Sequence, residues 1–310
     1  MLDRRGLQGV DSRYAAIEAL GGLFIVPRDA SAEDVRKEVL SRGIRALEVQ
    51  TPDLGFLEGL SLEYLFVNTP RPDIEPVHHL RELRSLAVDA WTGEMDLSAL
   101  PELRWLGVGE VEKDQLTRLL CQGHPALDHF AVGKWNLPDL AGLGRFPRLS
   151  HLEVGNSRSL VSLDGGKQLS ALRVLELYRC PGLTGLNGIE GTGLEHLGIE
   201  SCNRIADLTP LASLPNLRSV QIELRRPPPL NPLFGNRRLE FVWLIGGRRP
   251  PEELAALRDL SSTRVVQAAR ETWMRADGEW QSVSDIYAMT EEQEGLYERL
   301  HDERNAVKAW

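Results

Sequence analysis

Cysteine, lysine and long apolar runs are scarce in this sequence, and each scarcity excludes a class of protein. Three cysteines in 310 residues are too few for a disulfide framework. The longest apolar runs, such as residues 23–26, cannot cross a bilayer, and residues 1–14 hold no apolar stretch of signal-peptide length. We therefore expect a soluble, reduced, cytoplasmic protein, and the excess of arginine over lysine indicates a bacterial source.

Positive charge is in the minority as well. The chain has 36 basic and 45 acidic residues, which gives a formal net charge of −9. An acidic surface repels nucleic acid and anionic membranes, so we expect neither as a partner. A protein or peptide of basic character fits this charge better. Apolar residues make up 42% and charged residues 26%, which is typical of a folded chain and excludes a disordered one.

A repeat of the pattern L-x-x-L-x-V/L runs through most of the chain. Its steps are 18 to 24 residues long, and the first, fourth and sixth positions are apolar in every unit. Such a period is typical of a solenoid. The units begin at Ile44, Leu62, Leu83, Leu103, Leu127, Leu149, Leu172, Leu194, Leu217 and Leu239.

The alternation within each unit predicts one short strand per repeat, because alternate residues of a strand face opposite sides. One short strand cannot bury its apolar side alone, so the units must stack into a parallel sheet. Most connecting segments contain proline or glycine and are too short for long helices, so we expect 3₁₀ or extended turns. Residues 110–122 and 251–260 are exceptions whose leucine spacing predicts helices.

This pattern resembles the leucine-rich repeat family over residues 44–266. Residues 205–217 are similar to the internalin-type subclass with 22-residue repeats, and Cys180 and Cys202 stand at the ninth position, where the family places an inward-facing Asn or Cys. The other units depart from that ninth-position pattern. The resemblance implies an α/β solenoid, curved, with the parallel sheet on its concave face and short turns on its convex face, and a binding role of unspecified kind.

The flanking segments predict caps for the ends of the solenoid, since an open end would expose core. At the start, residues 23–26 suggest a strand, and Ser31 caps a helix that continues to Ser41. At the end, Asp277 and Gly278 predict a hairpin, and Thr290 opens a capping box before a final helix. We expect an N-terminal cap over 1–43, a solenoid of ten to eleven repeats over 44–266, and a C-terminal cap over 267–310.

The side chains at positions three, five and seven of each unit are predicted to face outward on the sheet, and three features of this face indicate binding. Aromatic residues occupy outward positions at which polar residues would be enough for a surface without a partner, and aromatic residues are frequent in interfaces. Small residues at 107, 109, 131, 133 and 155 suggest a shallow trough for an extended peptide. Four glutamates step along successive units beside three histidines. The candidate partner-binding residues are Tyr64, Phe66, Trp105, His129, His151, Glu153, Glu176, Tyr178, His196, Glu200, Glu223, Phe241 and Trp243.

Each of these features has a structural alternative. The caps could cover Tyr64 and Phe66 at one end and Phe241 and Trp243 at the other. The small residues could be tolerated on an exposed sheet, and the glutamates could form a solvated face without a partner. Trp91 and Trp135, at position nine, are expected in the core.

We predict a non-enzymatic module that binds a protein or peptide of basic character, without cofactor or metal. The sequence contains no P-loop, no H-E-x-x-H motif and no nucleophile elbow. One alternative is an immunity protein or inhibitor of a toxin or nuclease. Another is an unrecognised enzyme or metal site at His129, His151 and Glu153. The C-terminal hairpin and helix could also pair two copies of the chain, so the oligomeric state stays open.

Overall fold

The computed structural model describes residues 16–226, 228–268, 271–283 and 290–308, which divide between two compact units. Unit 1 holds the residues up to 136 together with 142–151, and unit 2 holds 137–141 and the residues from 152 onward. Strand β7 (His151–Gly155) begins on the last residue of unit 1 and continues in unit 2.

Unit 1 is a series of short parallel strands that pair in chain order. The register aligns equivalent repeat positions, so that Leu47 faces Leu65 and Leu65 faces Leu86. Most returns between strands contain 3₁₀ turns, such as Gly55–Leu57, Glu75–His79 and Leu97–Ala99. The elements are β1 (Phe24–Val26), α1 (Ala32–Arg42), β2 (Ala46–Val49), β3 (Tyr64–Val67), β4 (Ser85–Val88), β5 (Trp105–Val108), α2 (Lys113–Gln122) and β6 (His129–Val132).

Unit 2 continues the same pattern through β12 and then changes direction. Strands β8 to β12 pair in parallel and in chain order, whereas β12, β13 and β14 pair antiparallel. The elements are β8 (Val174–Tyr178), β9 (His196–Glu200), β10 (Ser219–Glu223), β11 (Phe241–Ile245), α3 (Pro251–Asp259), β12 (Val265–Ala268), β13 (Glu271–Ala276), β14 (Glu279–Val283) and α4 (Glu291–Lys308).

The predicted inward positions form the core. Positions one, four and six are buried in nearly every repeat, and the strand and its return close over them together. Trp91 and Trp135 are buried, as expected for core residues, and so are Cys180 and Cys202. The predicted leucine-rich repeat fold, a parallel-strand sheet with short helices and 3₁₀ turns, is therefore confirmed.

Local sequence signals set the ends of the other elements. The Ser31 hydroxyl accepts a hydrogen bond from the Asp34 amide and caps α1. Thr290 and Gln293 form the reciprocal bonds of a capping box at α4. Asp277 and Gly278 both adopt positive φ, 50° and 87°, as the turn between β13 and β14 requires. The division into two caps and a solenoid stays a prediction.

Candidate binding face

The open face of the sheet is the set of side chains at repeat positions three, five and seven. The prediction that position three is exposed to solvent is wrong for most repeats, and only Tyr64 and Trp105 are half-buried there. His129, His151 and His196 are only 6%, 3% and 1% exposed, and Ser85 and Ser219 are buried as well. Parallel strands about 4.8 Å apart bring equivalent side chains side by side, so that they cover one another.

In unit 1, Trp105, His129 and His151 form a continuous aromatic stack along position three. The Trp105 and His129 ring centroids are 5.5 Å apart with the planes tilted by 48°. The two imidazoles lie 3.9 Å apart and nearly parallel, at 22°. The rings thus pack on each other, and Trp105 alone of the three keeps part of its surface exposed.

The predicted trough at the small residues is already occupied by the chain itself. The Trp105 indole lies over Gly107, where a Cβ atom would overlap the ring, and the Asp89 carboxylate lies over Gly109 in the same way. Gly133 packs against the backbone of Gly109. The expectation that these glycines admit a partner backbone is therefore wrong for Gly107 and Gly109, because both make room for side chains of unit 1.

Tyr64 and Phe66 stay on the open face of unit 1. Both are half-buried on strand β3. Beside them, the Glu48 carboxylate accepts hydrogen bonds from Gln50 and Asn68, each at 3.2 Å. This part of the face combines aromatic surface with a negative charge that is fixed in place.

In unit 2, the open face carries several carboxylates. Glu176 is half-buried on β8, and its Oε1 lies 3.4 Å from Nε2 of the buried His196 on β9. Glu153 is also half-buried, on β7. The imidazole of His196 therefore contacts the Glu176 carboxylate and is itself inaccessible to a partner.

Position seven of unit 2 forms a row across four consecutive strands, which we call the acidic row. It consists of Tyr178, Glu200, Glu223 and Ile245, each in register with the next. The first three are half-buried, and Ile245 is 40% exposed. The Arg179 guanidinium lies 4.8 Å from the centre of the Tyr178 ring. Two carboxylates are thus flanked by an aromatic and an aliphatic side chain.

Phe241 and Trp243 do not belong to the accessible face. Their exposed fractions are 0% and 5%, and they form a cluster with Met274, Val283 and Leu300. Leu296 and Tyr297 of α4 pack against the same cluster. Their prediction as accessible binding residues is contradicted, because the hairpin and helix α4 cover them.

The two buried thiols are structural. The backbone amide of Cys180 donates to Sγ of Cys202 at 3.3 Å, and both side chains are fully buried. The neighbouring Cys180 thiol, together with burial, raises the pKa of Cys202 far above its usual range, and the same pairing lowers the pKa of Cys180. Both thiols are fully buried, and a nucleophilic thiol must be accessible to its substrate.

The enzyme or metal-site alternative at His129, His151 and Glu153 stays a prediction. The rings of His129 and His151 are stacked and nearly inaccessible within unit 1, which limits the approach of a substrate. A general base must reach its substrate within hydrogen-bond distance. The prediction that the chain is not an enzyme stays a prediction.

Two features of the surface were not singled out from the sequence. Ile245 was not among the predicted binding residues, although it follows Glu200 and Glu223 at position seven of successive repeats. Position two is charged in nearly every repeat, and where the sign alternates the charges form ion pairs between neighbouring repeats. These pairs are Arg45–Glu63 at 3.1 Å and Arg84–Glu63 at 3.0 Å in unit 1, and Arg173–Glu195 at 3.3 Å and Arg218–Glu240 at 3.0 Å in unit 2.

Comparisons with known proteins identify the fold. No protein-family model and no curated protein matches the sequence. An internalin from Listeria monocytogenes is similar in structure, with 17% identity, a TM-score of 0.55, and coverage of 84% of this chain and 80% of its own. A leucine-rich repeat protein of Leptospira interrogans has 13% identity, a TM-score of 0.41, and coverage of 86% and 78%.

Among the residues that the structure describes, no helix combines the length and apolarity needed to span a bilayer. The repeat pattern, the aligned parallel strands and the similarity to the Listeria internalin agree with one another. This chain therefore has the leucine-rich repeat fold, in the form that internalins share.

Proposed function

We propose that this chain is a non-enzymatic interaction module whose acidic row binds a basic segment of a partner protein. The observation that carries the proposal is the register of the row. It places Glu200 and Glu223 on adjacent strands, between half-buried Tyr178 and exposed Ile245.

Two physical effects support a cationic partner. A lysine or arginine from a partner would approach two carboxylates on neighbouring strands at once, and such complementary charge favours a basic partner. Tyr178 and Ile245 supply apolar contact area at either side of the charges, and aromatic residues are frequent at the energetic centres of interfaces. Glu176 and Glu153 extend the negative charge within unit 2.

Tyr64, Phe66 and Trp105 form a second, less charged candidate surface on unit 1. We assign it a secondary role, since Trp105 already packs on Gly107 and His129. The cytoplasmic location and the exclusion of nucleic acid belong to the same proposal, and rest on the composition of the chain.

The test is affinity capture from a bacterial lysate with three versions of the full chain. The first is unchanged, and the second carries Glu200→Lys and Glu223→Lys. The third carries Glu252→Lys and Asp259→Lys on α3, which change the net charge equally but lie off the open face. We expect one or more lysate proteins to be captured by the first and third versions but not by the second.

A partner identified in this way is then measured by calorimetry at rising salt. We expect the double change in the acidic row to weaken binding at least tenfold, and salt to weaken binding to the unchanged chain. Trp105→Ala should weaken it less than about threefold. Equal losses in the second and third versions would contradict the proposal, and so would binding that depends on Trp105 alone.

A further inference from the structure

A cleft lined by arginine lies at the amino-terminal edge of strands β9 to β12 in unit 2. Its volume is about 530 Å³. It is separate from the acidic row, which lies at the carboxyl ends of β8 to β11. Its charged walls are Glu195, Arg218, Arg237, Arg238, Glu240 and Arg264.

The charge of this cleft is opposite to that of the chain as a whole. Four guanidinium groups and two carboxylates give the lining a net charge of +2, whereas the chain carries −9. Both carboxylates have arginine partners. Glu240 binds Arg218 through two parallel hydrogen bonds of 3.1 and 3.0 Å, and Glu195 pairs with Arg173 outside the lining.

The remaining arginines are held by a rigid frame. The buried Asn236 side chain donates to the Leu214 carbonyl at 3.2 Å and accepts from the Arg238 amide at 3.0 Å, which fixes the loop before β11. The Arg238 guanidinium donates to Asn216 Oδ1 at 2.9 Å. The Arg264 amide donates to the Glu240 carbonyl at 2.8 Å.

Arg237 is exposed and makes no hydrogen bond or ion pair with any residue that the structure describes. Its guanidinium extends from this frame with all five donors available. A fixed frame with one uncommitted guanidinium suits a ligand that supplies several acceptor oxygens.

We propose that this cleft binds a phosphate monoester, either free or carried on a protein side chain. A monoester carries close to two negative charges at neutral pH and three strong acceptor oxygens, which match the net charge and the donors of the lining. A carboxylate or a phosphodiester carries one negative charge, so it leaves half of the excess positive charge of the cleft uncompensated.

The test uses calorimetry on the full chain in low-salt buffer that contains neither phosphate nor sulfate. Phenyl phosphate is the dianionic probe, and benzenesulfonate, of similar size, is the monoanionic control. We expect one phenyl phosphate per chain, bound at least about fivefold more tightly than benzenesulfonate. A phosphoserine peptide distinguishes the two sources, since tighter binding of the peptide indicates a protein-borne phosphate and weaker binding a free one.

Variants locate the binding. Arg237→Gln and Arg264→Gln should each weaken phenyl phosphate binding about tenfold, and Arg237→Lys should lie between them and the unchanged chain. Arg204→Gln removes an exposed arginine beyond the carboxyl end of β9 and should change binding less than about twofold.

Three results would overturn the proposal: no saturable phenyl phosphate binding, equal binding of the two probes, or an equal loss with Arg204→Gln. Tighter binding of a single-stranded oligonucleotide, with the same dependence on Arg237, would overturn it too. If Arg264→Gln fails to fold, Arg237→Gln alone still tests the proposal. The Arg237 side chain is exposed, so its removal leaves the hydrogen-bonded frame intact.

Discussion

Units 1 and 2 are built on the same repeat, but their open faces differ in chemistry. In unit 1 the small residues of the face are covered by its own side chains, with Trp105 over Gly107 and two histidines stacked beside it. In unit 2 the equivalent rows carry half-buried glutamates. Positions one, four and six set the backbone in both units, so positions three, five and seven can change without loss of the fold.

The two units also differ in the burial of the aromatic residues at position three. Tyr64 on β3 is half-buried, whereas Phe241 on β11 is fully buried beneath the hairpin and α4. Equivalent positions in the repeat therefore do different work. One keeps part of its ring exposed on the open face, and the other packs inside the cluster with Met274, Val283 and Leu300.

The largest effect should come from shortening these two side chains. Phe241→Ala removes a fully buried ring and should lower the free energy of unfolding by about 3–5 kcal/mol. Tyr64→Ala removes a half-buried ring and should cost about 1–2 kcal/mol. Urea unfolding followed by circular dichroism measures both. Equal costs would mean that α4 does not shield Phe241 in solution.

A smaller effect concerns pH and lies in unit 1. His124 is 3% exposed, its Nε2 lies 3.0 Å from the Leu100 carbonyl, and its Nδ1 accepts from the Ala126 amide. Burial lowers the pKa of this imidazole below its usual value. Folding therefore favours the neutral ring, and its contribution is fully present above the unfolded pKa of about 6.5 and is lost as pH falls toward the folded value.

The chain should lose up to about 1.4 kcal/mol of stability between pH 7.5 and 5.5 relative to His124→Gln, which does not titrate there. Asp128, whose pKa is raised by burial, is present in both proteins and cancels in the difference. Urea unfolding at the two pH values gives the measurement. Parallel pH profiles for the two proteins would rule out a depressed pKa at His124.

The smallest effect compares glycines at the same repeat position. A Cβ at Gly107 would overlap the Trp105 indole, whereas at Gly198 in unit 2 it would lie at an ordinary 3.4 Å from Glu176 Cγ. Gly107→Ala should cost about 1 kcal/mol and shift the Trp105 indole resonance. Gly198→Ala should be neutral or stabilise by a few tenths of a kcal/mol. The indole assignment comes from the spectrum of Trp105→Phe, and an unmoved resonance in Gly107→Ala would show that Trp105 does not rest there.

Much of the fold could be predicted because its signals are local and repeat. The leucine and valine spacing predicted the parallel strands, and capping residues such as Ser31 and Thr290 predicted where helices begin. The binding face was predicted less well. The predicted glutamates of unit 2 are partly exposed and Ile245 was missed, whereas Phe241, Trp243 and the histidines at position three are buried.

The sequence alone determined the repeat, the register of equivalent positions and the series of glutamates along successive units, since each depends on residue type and spacing within a unit. Only the tertiary structure decided that Trp105 rests on Gly107, that α4 covers Phe241 and Trp243, and that four arginines from different repeats line one cleft. These features depend on how side chains from different repeats pack against each other, and periodicity along the chain carries no information about that packing.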